Sequence, residues 1–435
     1  MRTAAFLLIA SGLILLASLF WVRSAYPRSN IYYAEPASTG LWRFQSIDTM
    51  KVSRDQAREY LNDPRFDSVI DRLIEAIAET GATHVALATP YDEEFVPFLT
   101  RWVKSARSQG LSVWFRGNFS GWEGWFGYPR ITRDEHLRKT SEFILAHPDL
   151  FADGDALSAC PECENGGPGD PRKTGDVVAY RNFLIAEYSA MEEAFRKIDR
   201  RVTTNYFSMN GDVARLVMDK QTTKALGGVV TIDHYVKTPK ELAADIREIA
   251  KLSGGKVMLG EFGAPIPDIH GKQSPAEQAK WIEGALTELA KVHELIGVNY
   301  WLSVGGSTAL WSDAGAASPA VLPLSKVFQS RIFFGRIFDD LGRAVPEAEV
   351  QIRDRVTKTN EDGYFELALP NQGAEDVLSV TKTGYIEKML SLKMGNIREV
   401  ILEKQDKSLL ESLSLIHILG RSLRKNFLPC QIMLV

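Results

Sequence analysis

Short apolar runs recur at intervals from Trp42 onward: Trp42–Ile47, His84–Ala88, Leu111–Phe115, Ala156–Cys160, Arg201–Thr204, Gly228–Ile232, Lys256–Leu259 and Gly297–Trp301. Each has the length of a buried strand. Between most of them, apolar residues fall three and four apart, as in Phe66–Ile77, Phe95–Ala106, Val177–Ile198 and Ala279–Leu295. That spacing places them on one face of a helix. Two helix starts are marked. Ser274-Pro275-Ala276-Glu277 combines a capping box with proline at the first helical position, and Thr238-Pro239 opens Leu242–Leu252 in the same way. Strand and helix in alternation predict parallel crossovers and an α/β fold. Eight repeats over roughly 290 residues suit a closed (β/α)8 TIM barrel over residues 41–329 better than an open doubly wound sheet.

Past Ser330 the period changes. Ile332–Phe338, Glu349–Arg353, Tyr364–Leu369, Val377–Thr381 and Glu399–Leu402 are short strands separated by turn signals such as Asn360-Glu361-Asp362-Gly363. This predicts a small all-β sandwich over residues 330–404. The segment from Gly335 through Gly342, Pro346, Asp362-Gly363 and Gly384-Tyr385 resembles carboxypeptidase regulatory-like (prealbumin-like) domains.

The termini differ from both. Ala4–Val22 carries no charge and is about long enough to span a bilayer. With no clear Ala-x-Ala site after it, residues 1–29 are expected to be an uncleaved transmembrane or signal anchor rather than a cleaved signal peptide. Residues 30–40 read as a linker. The protein is then expected outside the cytoplasm, anchored to the membrane, or secreted if the segment is cleaved. Residues 405–435 fit neither domain and are expected to be an unstructured tail. Leu413–Ile418 in it resembles the translation of a transposase end used in sequencing adapters.

A net charge of −4 and 45% hydrophobic residues over 435 positions give no sign of nucleic-acid binding or disorder. Of three cysteines, Cys160 and Cys163 form a lone Cys-x-x-Cys. Four zinc ligands are not in view. The pair is either two packing cysteines or a local disulfide formed outside the cytoplasm. No metal or cofactor is expected.

The chemistry is expected where strands run out. Glu162 and Glu261 each follow such a run, and a carboxylate at the C-terminal end of a barrel strand points into the barrel mouth. Two carboxylates facing one bond are the minimal equipment for cleaving a glycoside. Leu259-Gly260-Glu261-Phe262-Gly263 resembles the strand-seven nucleophile motif of glycoside hydrolase clan A, which includes family 5. Pro161-Glu162-Cys163 lies where that clan places Asn-Glu-Pro at the end of strand four. The resemblance implies a retaining glycosidase with Glu261 as nucleophile and Glu162 as acid/base. Pro161 and Cys163 depart from the motif, so Asn165 is the candidate to supply the missing amide. Glu164 competes with Glu162 for the acid role, with register favouring Glu162.

Other candidates for substrate binding cluster at strand ends. Arg116 and Asn118 follow strand three, with Arg116 placed to keep the nucleophile ionised. Trp122 and Trp125 lie in a glycine-rich loop and suit stacking on sugar rings. Asn205 and Tyr206 follow the expected strand five, Asp233, His234 and Tyr235 strand six, and Trp301 strand eight. The clan resemblance implies an aromatic or histidine contact to the nucleophile after strand six and a tryptophan floor after strand eight. The leading expectation is a retaining glycoside hydrolase acting on β-linked polysaccharide, oligosaccharide or glycoconjugate. The alternative is a non-catalytic carbohydrate-binding barrel. A metal-dependent barrel hydrolase is disfavoured, because Phe44–Asp48 carries no His-x-His.

Overall fold

The computed structural model describes residues 41–353, 355–369, 376–392 and 399–405. The expected anchor, the linker and residues 406–435 lie outside them. Among the described residues, no helix is long and apolar enough to cross a membrane. Gln405, assigned above to the tail, is still tied to the fold, since its N–H donates to the Gly384 carbonyl at 2.9 Å.

Eight parallel strands form one sheet: β1 Phe44–Asp48, β2 His84–Leu87, β3 Ser112–Phe115, β4 Ala156–Leu157, β5 Ser208–Asn210, β6 Val229–Asp233, β7 Lys256–Phe262 and β8 Leu295–Tyr300. Their order is β4-β3-β2-β1-β8-β7-β6-β5. A parallel bridge from Ala156 to Thr203 joins the two edges and closes the barrel. A helix follows each strand: α1 Asp67–Glu79, α2 Val96–Ser108, α3 Arg133–Ala146, α4 Val177–Lys197, α5 Gly211–Val217, α6 Pro239–Ser253, α7 Pro275–Leu289 and α8 Val321–Phe328. The capping box of Ser274 and Glu277 forms as its sequence dictates. Thr132 and Glu135 form a second one at the start of α3, a helix with little apolar periodicity.

Strand five is the one real displacement. The run Arg201–Thr204 meets the β4 side through Thr203, bonded to Asp155 and Leu157, and through the Arg201 carbonyl, which accepts from Gly154 N–H. The ladder to β6 is made later, by Ser208–Asn210. Residues 204–207 between the two contacts belong to neither ladder, so the fifth strand is split and neither half is long enough to show a period.

Alternation sorts the strand residues into two layers. Val113, Phe115, Val230, Ile232, Val257 and Leu259 face the helices and belong to the large outer core. Phe44, Ala86, Trp114, Ala156, Tyr206, Val229 and Met258 fill the barrel interior as a separate cluster. Above that plug, the inward positions are polar: Asp48, Arg116, Ser208, Asp233 and Asn299 are all buried.

The C-terminal strands form two sheets, β11-β10-β13-β14 and β12-β9-β15. These are β9 Arg331–Asp339, β10 Glu349–Ile352, β11 Arg355–Lys358, β12 Tyr364–Leu369, β13 Asp376–Thr381, β14 Lys388–Leu392 and β15 Glu399–Leu402. Val350, Ile352, Phe365, Leu367, Leu378, Val380, Val400 and Leu402 close the core between them. β11 and β14 were not anticipated. Both are edge strands with partly exposed residues, so they lack the apolar alternation of a half-buried strand.

Candidate active site

Arg116 organises the barrel mouth. It lies two residues beyond Trp114 on the inward face of β3, and its guanidinium sits 4.9 Å above the Trp114 ring. Nη1 donates to Asp48 Oδ2 at 2.8 Å and to Glu261 Oε1 at 2.9 Å. Nη2 donates to Asp233 Oδ2 at 2.8 Å and to Ser208 Oγ at 3.0 Å. Arg116 is 1% exposed and Glu261 5%, so these charge-assisted bonds are hardly screened.

Glu261 reaches this cluster because β7 is irregular. Met258 and Gly260 point inward, and strict alternation would turn Glu261 outward with Leu259. The pairing register shifts instead between Leu259 and Phe262 against β8, and β6 pairs Ile232 with Leu259 but Asp233 with Glu261. The irregularity turns Glu261 inward and returns Phe262 to the outer core, the kind of re-aiming that a bulge supplies beside a site. The two glycines of the motif also have causes. A Cβ on Gly260 would lie 2.3 Å from Asp233 Oδ1, and one on Gly263 would lie 2.5 Å from the Trp301 carbonyl.

Both oxygens of Glu261 are occupied by donors, Oε1 by Arg116 and Oε2 by the Tyr235 hydroxyl at 2.7 Å. Burial raises the carboxyl above its usual range and the charge of Asp48 adds to this, while Arg116 and Tyr235 pull it back. The bonding pattern fits the ionised form, since a guanidinium can only donate. One guanidinium here faces three carboxyls. Asp233 is held well above the usual range, first by burial and then by the charges of Glu261 and Glu162, against Arg116. Its Oδ1 has no hydrogen-bond partner among the described residues.

Glu162 lies five residues past the two-residue strand β4, in a turn where its φ is +46°. Its N–H donates to the Ser208 carbonyl at 2.8 Å, so Ser208 serves both Glu162 and Arg116. Burial, then the charges of Glu261 and Glu164, push the Glu162 carboxyl up to about 8 against Arg116 and Asn165. Glu164 is differently placed. It is 2% exposed, and its oxygens accept from Asn210 N–H at 2.7 Å, Asn210 Nδ2 at 3.0 Å and Tyr180 Oη at 3.2 Å. It is engaged in holding the turn to β5. Asn165 is exposed beside it, its N–H bonded to the Glu162 carbonyl.

Trp301 follows β8, partly exposed, with its ring 5.7 Å from Tyr235 in an edge arrangement. Its peptide bond to Leu302 is cis. Trp125 is partly exposed in the loop after β3, under the Arg54 guanidinium at 4.7 Å.

Five expected binding residues do not present themselves to a substrate. Trp122 is 1% exposed, stacked on Phe183 at 5.2 Å, with its indole N–H bonded to the Cys163 carbonyl. Asn118 is fully buried and links Glu123, Cys160 and His136. Tyr206 belongs to the interior plug, packed edge-on to Phe44 and Trp114. Asn205 bonds the Gly227 carbonyl before β6, at the opposite end of the barrel. His234 turns outward to Asp245 on α6 at 2.7 Å. The split fifth strand explains Asn205 and Tyr206, and alternation after the inward Asp233 explains His234.

Asp48, Ser208 and Asn210 were missed. Asp48 carried a readable signal, a carboxylate closing the apolar run of strand one. Ser208 and Asn210 had none once strand five was placed too early. Glu123 was missed as well. Burial pushes its carboxyl up to about 7, against its bond from Asn118 and the charges of Arg54 and Arg130. Among the described residues, no group of three or more His, Cys, Asp or Glu side chains is arranged to hold a metal.

No protein-family model matches this chain, and no curated protein does. Solved structures do. A GH5_18 variant from Streptomyces cattleya in complex with Manβ1-4GlcNAc is 16% identical, with 66% of this chain and 80% of that chain covered at a TM-score of 0.51. GH5_18 of the same organism in complex with GlcNAc is 14% identical, with 65% and 79% covered at 0.50. The β-glucuronidase 2 of Bacteroides uniformis, covalently bound to cyclophellitol-6-carboxylate aziridine, is 12% identical, with 83% of this chain and 46% of that chain covered at 0.46. The chain thus spans under half the length of that protein. At these identities the GH5_18 likeness establishes the barrel fold.

Proposed function

We propose that this protein is a retaining glycoside hydrolase of β-linked polysaccharide, oligosaccharide or glycoconjugate. Glu261 is the nucleophile and Glu162 the acid/base. The observation that carries this reading is the contrast between two mutually interacting carboxyls. Glu261 accepts from a guanidinium and a phenol, whereas Glu162 is pushed up to about 8, partly by the charge of Glu261. One is equipped to stay ionised and the other to stay protonated at neutral pH, the division of labour that this chemistry needs.

In the first step, Glu261 attacks the anomeric carbon as the glycosidic bond breaks, and Glu162 gives its proton to the departing oxygen. In the second, water attacks the glycosyl ester, Glu162 takes the water's proton, and Glu261 leaves as carboxylate. Trp301 and Trp125 offer partly exposed aromatic faces for sugar rings. Asn165 supplies an amide beside Glu162. Manβ1-4GlcNAc-type disaccharides belong in the substrate panel, since a structurally similar GH5_18 variant was solved with that ligand.

The altered strand-four segment Pro161-Glu162-Cys163 favours a second reading, a non-catalytic carbohydrate-binding barrel. A screen of β-glucans, mannans, xylans, Manβ1-4GlcNAc and aryl β-glycosides separates the two. Turnover lost in Glu261→Gln supports the hydrolase. Binding without turnover in the unaltered protein supports the binding barrel.

A further inference from the structure

The Cys-x-x-Cys pair encloses the proposed acid/base. Cys160 and Cys163 are joined by a disulfide, and Pro161 and Glu162 are the two residues inside it. We infer that this disulfide is a positioning element for Glu162, and that a dithiol which reduces it releases the turn and weakens acid catalysis. The inference rests on the hydrolase reading for its catalytic consequence, though not for its structural one.

The turn around Glu162 owes little to the sheet, and its other side-chain anchor is the buried Glu164, which accepts from Asn210 and Tyr180. β4 ends at Leu157 and supplies only two ladder residues. Beyond it, Ser158 N–H bonds the Phe115 carbonyl, Glu162 N–H bonds Ser208, and Asn165 N–H bonds back to Glu162. A left-handed φ is unfavourable for a glutamate, and it persists only where the surroundings impose it. The disulfide is the covalent restraint at that point. It is seated as well as closed. The two cysteines are 0% and 2% exposed, Asn118 Nδ2 lies 3.5 Å from Cys160 Sγ, and the Trp122 indole N–H bonds the Cys163 carbonyl at 3.2 Å. The buried Asn118 and Trp122, which do not reach substrate, thus acquire a role behind the turn.

Holding the turn also sets the surroundings of the Glu162 carboxyl. Glu261, Glu164, Asp233, Tyr235 and Arg116 all interact with it there. A released turn hydrates the carboxyl and separates it from Glu261, and both changes lower its pKa. Reduction is balanced. Two electrons and two protons pass from the dithiol to the disulfide, giving two cysteine thiols and the cyclic disulfide of the reductant. The sulfurs are buried, so reduction waits on opening of the turn.

The test uses the full chain in three forms: oxidised, reduced by excess dithiothreitol with thiols counted by mass, and Cys160→Ser/Cys163→Ser. Titration of the Glu162 carboxyl carbon is followed by NMR with labelled glutamate. Turnover is measured on a natural β-glycan and on an activated aryl β-glycoside. The inference predicts a Glu162 midpoint shifted down from about 8 in both altered forms. It also predicts a roughly 10-fold or larger fall in kcat on the glycan, against ~3-fold or less on the aryl glycoside, which needs little protonation. Unchanged titration and an unchanged ratio of the two rates overturn it. If the double variant does not fold, the reduced protein decides, with reoxidation restoring the original values. If the oxidised protein turns over neither substrate, the hydrolase reading fails, while the titration still decides whether the disulfide positions Glu162.

Discussion

Glu261 stands in the seven-residue strand β7, a strand paired on both sides, with one carboxyl oxygen held by the buried Arg116 and the other by the half-buried Tyr235. Glu162 stands on a turn past a two-residue strand, held by one backbone bond on its N–H, another on its carbonyl and a disulfide around it. Position, charge and hydrogen bonding are all built into the sheet at the first residue. The second stands outside the sheet, on a turn that the disulfide encloses and that Ser208 and Glu164 tie to the neighbouring strand. A nucleophile must be ionised and aimed, which a rigid strand and a guanidinium provide. An acid/base must hold a proton, then give it up and take it back, which a partly desolvated carboxyl with few fixed donors allows.

The largest expected effect falls on the rigid side of this comparison. Glu261→Gln should lower turnover of β-glycans by about 1000-fold or more while leaving their binding within a few-fold, because an amide cannot form the glycosyl ester. Turnover within 10-fold of the parent would remove Glu261 from the chemistry. Glu162→Ala should slow natural substrates by roughly 100- to 10,000-fold and activated aryl glycosides far less. Equal slowing of both classes would mean that Glu162 does not protonate the leaving group.

Arg116 tests whether the clamp is as central as its geometry indicates. Arg116→Ala leaves three buried carboxyls without their guanidinium and should cost about 3–5 kcal/mol in chemical denaturation. A loss below about 1 kcal/mol would show that the cluster relaxes freely. A smaller effect with an unusual sign is expected at Glu162. Its carboxyl is raised in the folded protein, so folding takes up a proton between the ordinary carboxyl range and about 8, and stability falls as pH rises through that window. Glu162→Gln should therefore be more stable than the parent at pH 8, by on the order of 1 kcal/mol or more, with the gap closing toward pH 4. Melting curves at both pH values check this, and a gap that does not change with pH would contradict the raised carboxyl. The smallest effect is expected at the other end of the barrel. Asn205→Ala should leave KM and kcat within about two-fold, since surface changes away from a site rarely matter.

The same contrast explains what the sequence made legible. Seven of the barrel strands were readable because burial on both faces writes continuous apolar runs. Strand five was not, because its two contacts are made by separate pieces of chain, one at Thr203 and one at Ser208–Asn210. The neighbourhood of Glu261 was readable for its residue types. Its inward direction, however, comes from a shift in pairing register that no local pattern announces. Around Glu162, Trp122 and Asn118 look like ligands for a sugar, because aromatic and amide groups suit that role equally well when they support a turn. Only packing separates the two uses, and packing is not a property of residue spacing. Asp48 was open to inference, since the carboxylate-at-strand-end argument applied to Glu261 applies to it as well.

The central claim is that Glu261 forms a covalent bond to the sugar while Glu162 serves it with a proton. The most direct measurement is mass analysis of peptides after reaction with a 2-deoxy-2-fluoro β-glycoside of the preferred sugar, which slows breakdown of the intermediate. The account predicts one glycosyl group, carried on Glu261 and lost when an acceptor is added. Label on another residue, or inverted product with no label at all, would contradict it.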